Sequence, residues 1–263
     1  MVEISDRFHL KPLLRAITFP HAAHVLAVSE NAVRLIEVSS DLPAADVKVP
    51  DLPKDAASAV GKSTINDRSA SGRIQGAEGQ KVRLGQYIRK IDAALRPVLM
   101  HSDMPVVLAA TMPVASLFRS LSVIPLLPQT IEGSPDRLSE AELASAARPV
   151  LDAHHQSEID AFHRLFEQRA SQNRTTTDMS DAARAATVGG IESLLIDIDA
   201  VINGTVDEET GAVTFDTEGD ARNYGVVDEI AGRALRSGAR VLGVRRDDIP
   251  ERKELAAILR YAM

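Results

Sequence analysis

The sequence predicts an α/β fold built as two α/β domains, residues 1–150 and 151–263. Three observations lead there. Short apolar runs of strand length alternate with segments of helical period, which implies a layered sandwich. A long helical region reaching about Ala170 is followed by a polar connector, Ser171 to Thr177, and the domain change lies within or just after it. The same alternation then begins again and runs to the end.

Arg7 to Ile17 reads as a short helix with Phe8, Leu10, Leu13, Leu14 and Ile17 apolar. His24–Val28 and Ala32–Val38 are strands, and Ser29-Glu-Asn31 between them is a tight-turn signal, so they form an antiparallel hairpin. Residues 39–80 hold Pro43, Pro50, Pro53, Gly61, Gly72, Gly76 and Gly79 and keep no period, which reads as a long loop. Leu84, Ile88, Ile91, Leu95 and Val98 then step by four and three, the stripe of an amphipathic helix. Arg83, Gln86, Arg89, Lys90 and Arg96 fall largely off that stripe. Pro105–Ala110 is a buried-type strand, Val114–Arg119 a helix and Val123–Leu127 a strand. Ser139-Glu-Ala-Glu142 matches a capping box opening the long helix, with Pro149 a candidate kink. Beyond the connector come a helix over Ser180–Val188, a strand over Ile191–Asp197 and a hairpin over Asn203–Phe215 turning at Glu209-Thr-Gly211. A helix then carries Val227, Ile230, Ala231, Ala234 and Leu235, with Gly238 as its stop, and strands follow at Val241–Val244 and Leu255–Tyr261.

Composition excludes several functions. The chain has no cysteine, so disulfides and thiolate metal sites are ruled out. The start lacks a signal-peptide pattern, and the longest apolar stretch, Met104–Ala115, is broken by Pro105 and Pro113. The expectation is a cytoplasmic protein away from the membrane. A net charge of −7 argues against a general nucleic-acid coat, and 3% aromatic residues with no tryptophan argue against a base-stacking platform.

Charge is uneven, however. Between Gly61 and Lys90 stand Lys62, Arg68, Arg73, Lys81, Arg83, Arg89 and Lys90, against only Asp67 and Glu78. Such cations contact phosphate without reading sequence, or they simply form a solvated face. Other candidates are weaker. His154, His155, Glu158 and His163 share one helical stretch without HExxH spacing, which reads as helix surface rather than a metal site. No Gly-x-Ser-x-Gly elbow is present. Gly61-Lys62-Ser63 lacks the earlier glycine of a phosphate-binding loop, because position 56 is Ala. Asp197 and Asp199 end an apolar strand and read first as caps, second as a carboxylate site. No catalytic residue, metal site or cofactor is expected.

Asp6-Arg-Phe-His-Leu-Lys-Pro-Leu-Leu-Arg15 and Val25–Glu37 resemble the start of the central domain in the bacterial branch of the archaeo-eukaryotic release factor superfamily. Gln86–Leu95 and Pro105–Ala110 resemble that domain's main helix and next strand. Ala182–Asp197, Val227–Ala231 and Ala256–Tyr261 resemble parts of its C-terminal domain. The resemblance implies an RNase H-like central domain, then an α/β/α sandwich of the kind found in some RNA-binding ribosomal proteins. It implies action at the ribosome or on ribosomal RNA, with a translational GTPase as a further partner. Members usually begin with an additional N-terminal domain, whereas this sequence starts at the central one. The Gly-Gly-Gln tripeptide of true release factors is also missing: the corresponding region reads Gly72-Arg-Ile-Gln-Gly76 and Gly79-Gln80. A Pelota-like role without peptidyl-tRNA hydrolysis follows, with Arg73, Lys81 and Arg83 on RNA phosphate. The rival readings are a divalent-metal-dependent phosphate-handling hydrolase using Asp197 or Asp199, and a protein-interaction adaptor.

Overall fold

The computed structural model describes residues 22–39, 42–61, 77–100, 102, 104–217 and 225–262, and these fall into two compact units, 22–154 and 155–262. The helix expected over Arg7–Ile17 lies outside the described residues.

The first unit is built on strands β1 (Ala23–Val28) and β2 (Val33–Val38), paired antiparallel from Ala23↔Val38 to Val28↔Val33. Ser29 Oγ accepts the backbone N–H groups of Asn31 and Ala32, which closes the turn between them. β3 (Ala45–Asp46) adds to β2, while β4 (Val106–Ala109) and β5 (Leu126–Ile131) extend the other side in parallel, giving the order β3-β2-β1-β4-β5. That order, with the second strand alone antiparallel, is the one an RNase H-like sheet has.

Strand alternation decides what covers each face. Leu26, Val28, Leu35, Val106 and Leu108 meet α1 (Ala56–Ala59), α2 (Ala77–Leu99) and α3 (Val114–Leu121). Val25, Ala27, Ile36, Val107 and Ala109 meet Leu143, Ala147 and Leu151 from the first half of α4 (Glu140–Ala170). Each fully buried Leu or Ile contributes about 1.5–3 kcal/mol of transfer free energy, so the layers are held chiefly by this alternation. The capping box forms as expected, since Glu142 Oε2 accepts Ser139 N at 2.8 Å and Ser139 Oγ accepts Glu142 N at 3.3 Å. Pro149 lies inside the helix without ending it.

Three expectations change here. Residues 39–80 are not one loop. β3 is pinned by Val47 N–H donating to Leu35 O, α1 begins where Ala56 N–H donates to Glu30 O, and α2 has started by Ala77. The fifth strand runs over Leu126–Ile131 rather than Val123–Leu127, and Val123 is 69% exposed. Pro128 fits it because it is an edge strand.

The second unit has a four-stranded sheet, β10 (Arg240–Val244), β7 (Ile191–Asp197), β11 (Leu255–Leu259) and β6 (Thr175–Thr176), with β10 parallel and β11 antiparallel to β7. β6 is the third correction: the polar connector contributes an edge strand, Thr175 and Thr176 pairing with Ile258 and Ala257. Leu194, Ile196, Val241 and Ala257 pack on α5 (Met179–Thr187) and α6 (Val226–Arg236). Leu195, Val244, Ala256 and Ile258 pack on Ile159 and Phe162 from the second half of α4. The result is an α/β/α sandwich, with the short hairpin β8 (Gly204–Val206) and β9 (Val213–Phe215) beside it. Gly211 at that hairpin's turn has φ +71°, and a Cβ there would sit 2.8 Å from Arg184 Cα, so only glycine fits.

Candidate nucleic-acid interface

The apolar stripe of α2 decides which of its cations meet water. Leu84, Ile88, Ile91 and Leu95 are fully or almost fully buried, and Tyr87 joins them. From Lys81 to Arg96 the helix carries Lys81, Arg83, Arg89, Lys90 and Arg96, against a single carboxylate, Asp92. Lys81, Arg89, Lys90 and Arg96 are exposed and Arg83 is half-buried. Lys81 and Arg89 are eight residues apart, which sets them roughly 12 Å apart along the axis.

The five cations differ in what holds them. Lys90 Nζ donates to Ala59 O at 2.6 Å, so it caps the last turn of α1 as well as facing solvent. Arg83 Nε is buried and has no acceptor among the described residues. Arg96 Nε donates to Asp92 Oδ2 at 2.8 Å. Asp92 is buried. Burial alone would raise its pKa, but hydrogen bonds from Ser122 Oγ and Arg96, then the Val123 N–H, outweigh that and hold the carboxyl below the ordinary aspartate value. Lys81 and Arg89 have no carboxylate partner among the described residues. Gly85 gives room beside Arg89: a Cβ there would lie 3.5 Å from Leu121 Cδ1 and 3.9 Å from Arg89 Nη1. Lys62, Arg68 and Arg73 lie outside the described residues, so four of the seven expected cations are seen, and all four are on α2.

The Tyr87 hydroxyl has no partner among the described residues, and burial, followed by the charges of Asp55 and Asp136, pushes the phenol far above its ordinary range. Sequence reasoning missed both Tyr87 and Asp92. The i,i+4 spacing of Asp92 and Arg96 was the available signal.

The rival positions do other work. Asp197 is buried, its Oδ1 accepting Asp199 N–H at 2.9 Å and its Oδ2 lying 3.4 Å from Arg246 Nε, which makes it the cap of its own strand end. His163 Nε2 contacts Asp248 O at 2.7 Å, and Glu158 pairs with Arg240. Among the described residues no group of three His, Asp or Glu side chains could hold a metal, and no helix is long and apolar enough to cross a membrane.

Residues 20–157 match the model of bacterial archaeo-eukaryotic release factor family 11, which is more than half of the chain. The chain belongs to that family. The matched span of this release-factor-like family includes the whole of α2 and its cations. No curated protein matches in sequence. Among solved structures, a chain of the ribosome-bound archaeal Pelota and ABCE1 assembly is 14% identical with a TM-score of 0.57, over 98% of this chain and 68% of that one. Saccharomyces cerevisiae Dom34, a translation termination-like factor involved in RNA quality control pathways and interacting with Hbs1, is 10% identical with a TM-score of 0.49, over 92% and 63%. Archaeoglobus fulgidus Pelota is 12% identical with a TM-score of 0.40, over 96% and 68%. At 14% identity the likeness to the ribosome-bound Pelota assembly's chain is one of fold, and this family member spans about two thirds of the length of each of the three chains.

Proposed function

We propose that the chain is a ribosome- or RNA-associated, Pelota-like translation factor module of the cytoplasm that does not hydrolyse peptidyl-tRNA. Residues 1–150 act as the release-factor-like central domain and 151–263 as the C-terminal one. The observation that carries the reading is the exposed face of α2, where Lys81 and Arg89 stand without a carboxylate partner among the described residues in a chain of net charge −7. Phosphate contacts need such cations and no base readout, which suits a chain with so few aromatic side chains. Lys62, Arg68 and Arg73 precede the helix in the same cationic run, and Arg83 and Lys90 flank the exposed pair. The missing Gly-Gly-Gln supports the non-hydrolytic role, and a translational GTPase is the partner that would deliver the module.

Co-sedimentation with purified ribosomes tests this. The chain pellets with ribosomes at low salt, and Lys81→Glu/Arg89→Glu abolishes pelleting while leaving thermal unfolding essentially unchanged, because both side chains are exposed. Pelleting that survives both the charge reversal and high salt contradicts the phosphate reading and favours a protein-interaction adaptor.

A further inference from the structure

The carboxyl ends of β4 and β5 and the start of α3 enclose a cleft of about 390 Å³ that no residue of α2 lines. Ligands of open α/β sheets bind outside the carboxyl ends of parallel strands, and a cleft of this volume admits a small organic molecule. Ala110 and Ala115 give it an apolar floor beside Met112. Its polar groups are of both signs, with Arg119 and Glu132 lining the same cleft together with the hydroxyls of Thr111, Ser116 and Thr130.

The guanidinium of Arg119 is fixed before any ligand arrives. Nη2 donates to Leu127 O at 2.8 Å, Gln129 O at 3.1 Å and Thr130 Oγ1 at 2.7 Å, and Nε donates to Thr130 Oγ1 at 3.3 Å. Nη1 makes no hydrogen bond among the described residues. Thr130 Oγ1 accepts two N–H groups from Arg119, which occupies both lone pairs and leaves its own O–H as a donor. A held guanidinium and a hydroxyl donor suit a phosphate. A carboxylate on the same rim is wrong for a bare anion but suits the hydroxyls of a ribose, which it can accept from. The apolar floor suits the face of a base.

We propose that this cleft binds one ribonucleoside monophosphate, with the phosphate at Arg119 and Thr130 and the ribose hydroxyls at Glu132. The unit can come from a free nucleotide or from the end of an RNA chain. Titrating the whole chain with AMP, GMP, CMP and UMP by NMR or calorimetry tests it. Saturable binding of at least one is expected below about 10 mM. Binding falls about tenfold for the 2′-deoxy counterpart and in Glu132→Gln, because the charge-assisted hydrogen bond from the ribose is lost in the first and reduced to a neutral one in the second. Glu132 is exposed, so the variant folds as the parent does. A linear RNA that displaces the nucleotide where a circular one does not assigns the site to an RNA end, and failure of both to displace it assigns the site to the free nucleotide. No saturable binding, equal ribose and deoxyribose affinities, or an unchanged Glu132→Gln overturns the proposal. Ribosome pelleting through α2 is unaffected by Glu132→Gln, so the two readings fail separately.

Discussion

Arg89 on α2 and Arg233 on α6 are both helix arginines in amphipathic segments, yet they have opposite fates. Arg233 is 7% exposed, and its guanidinium donates to Glu229 Oε1, Thr187 Oγ1, Asp207 O and Val206 O, fastening the β8–β9 hairpin to both helices of its layer. Arg89 faces water and has no carboxylate partner among the described residues. Burial removes a cation from the molecule's outward field, because its charge is neutralised and its donors are occupied within the fold. What a cation can offer a polyanion is therefore set by which side of the apolar stripe it occupies, not by its presence in the sequence.

The largest effect should come from breaking the buried member. Arg233→Met removes the buried guanidinium that Glu229 pairs with, leaving it the more distant Arg236, and takes the donor from the Val206 and Asp207 carbonyls, which costs about 3 kcal/mol or more. Chemical denaturation should show that loss, with ribosome pelleting per folded molecule unchanged. Next, Lys81→Glu/Arg89→Glu should lower ribosome affinity on the order of 10²-fold at low salt while moving stability by no more than about 0.5 kcal/mol.

Asp92 lies between these cases, buried itself but holding an exposed arginine. Asp92→Ala should cost about 1–3 kcal/mol through lost bonds to Ser122, Arg96 and the Val123 N–H. Because its folded carboxyl lies below the ordinary value of 3.8, the stability it confers is present above that pH and lost as the pH falls through it. Acid denaturation of Asp92→Asn should accordingly be less steep below about pH 4. His24 acts in the same direction at higher pH. Burial lowers it from 6.5 against the pull of Glu37, so stability declines as pH falls through that value, and His24→Gln should flatten that decline in thermal unfolding. The smallest effect belongs to Lys90→Ala, which removes one bond to Ala59 O and should cost about 0.5 kcal/mol, seen as a small shift of the unfolding midpoint.

The elements legible in the sequence were those whose pattern is local. The β1–β2 hairpin, the stripe of α2, the Ser139–Glu142 capping box and the Gly238 stop each follow from a few neighbouring residues. The elements missed are held by distant partners. α1 is four residues long and is anchored by Glu30 O, and β6 exists because Thr175 and Thr176 meet β11. β5 begins later than the apolar run at Val123 because Asp92 takes the Val123 N–H into a loop. At the candidate site the cationic helix was legible from composition, whereas the split between Arg89, without a carboxylate partner among the described residues, and engaged Lys90 depends on α1, and the β4–β5 cleft depends on the order of strands.

The most direct test is the salt dependence of RNA binding by the parent chain and by Lys81→Gln/Arg89→Gln. If both side chains neutralise phosphates, the slope of log affinity against log salt concentration falls in magnitude by about two, with affinity reduced across all RNA sequences alike. An unchanged slope would show that the exposed face of α2 touches no phosphate, and would contradict the account.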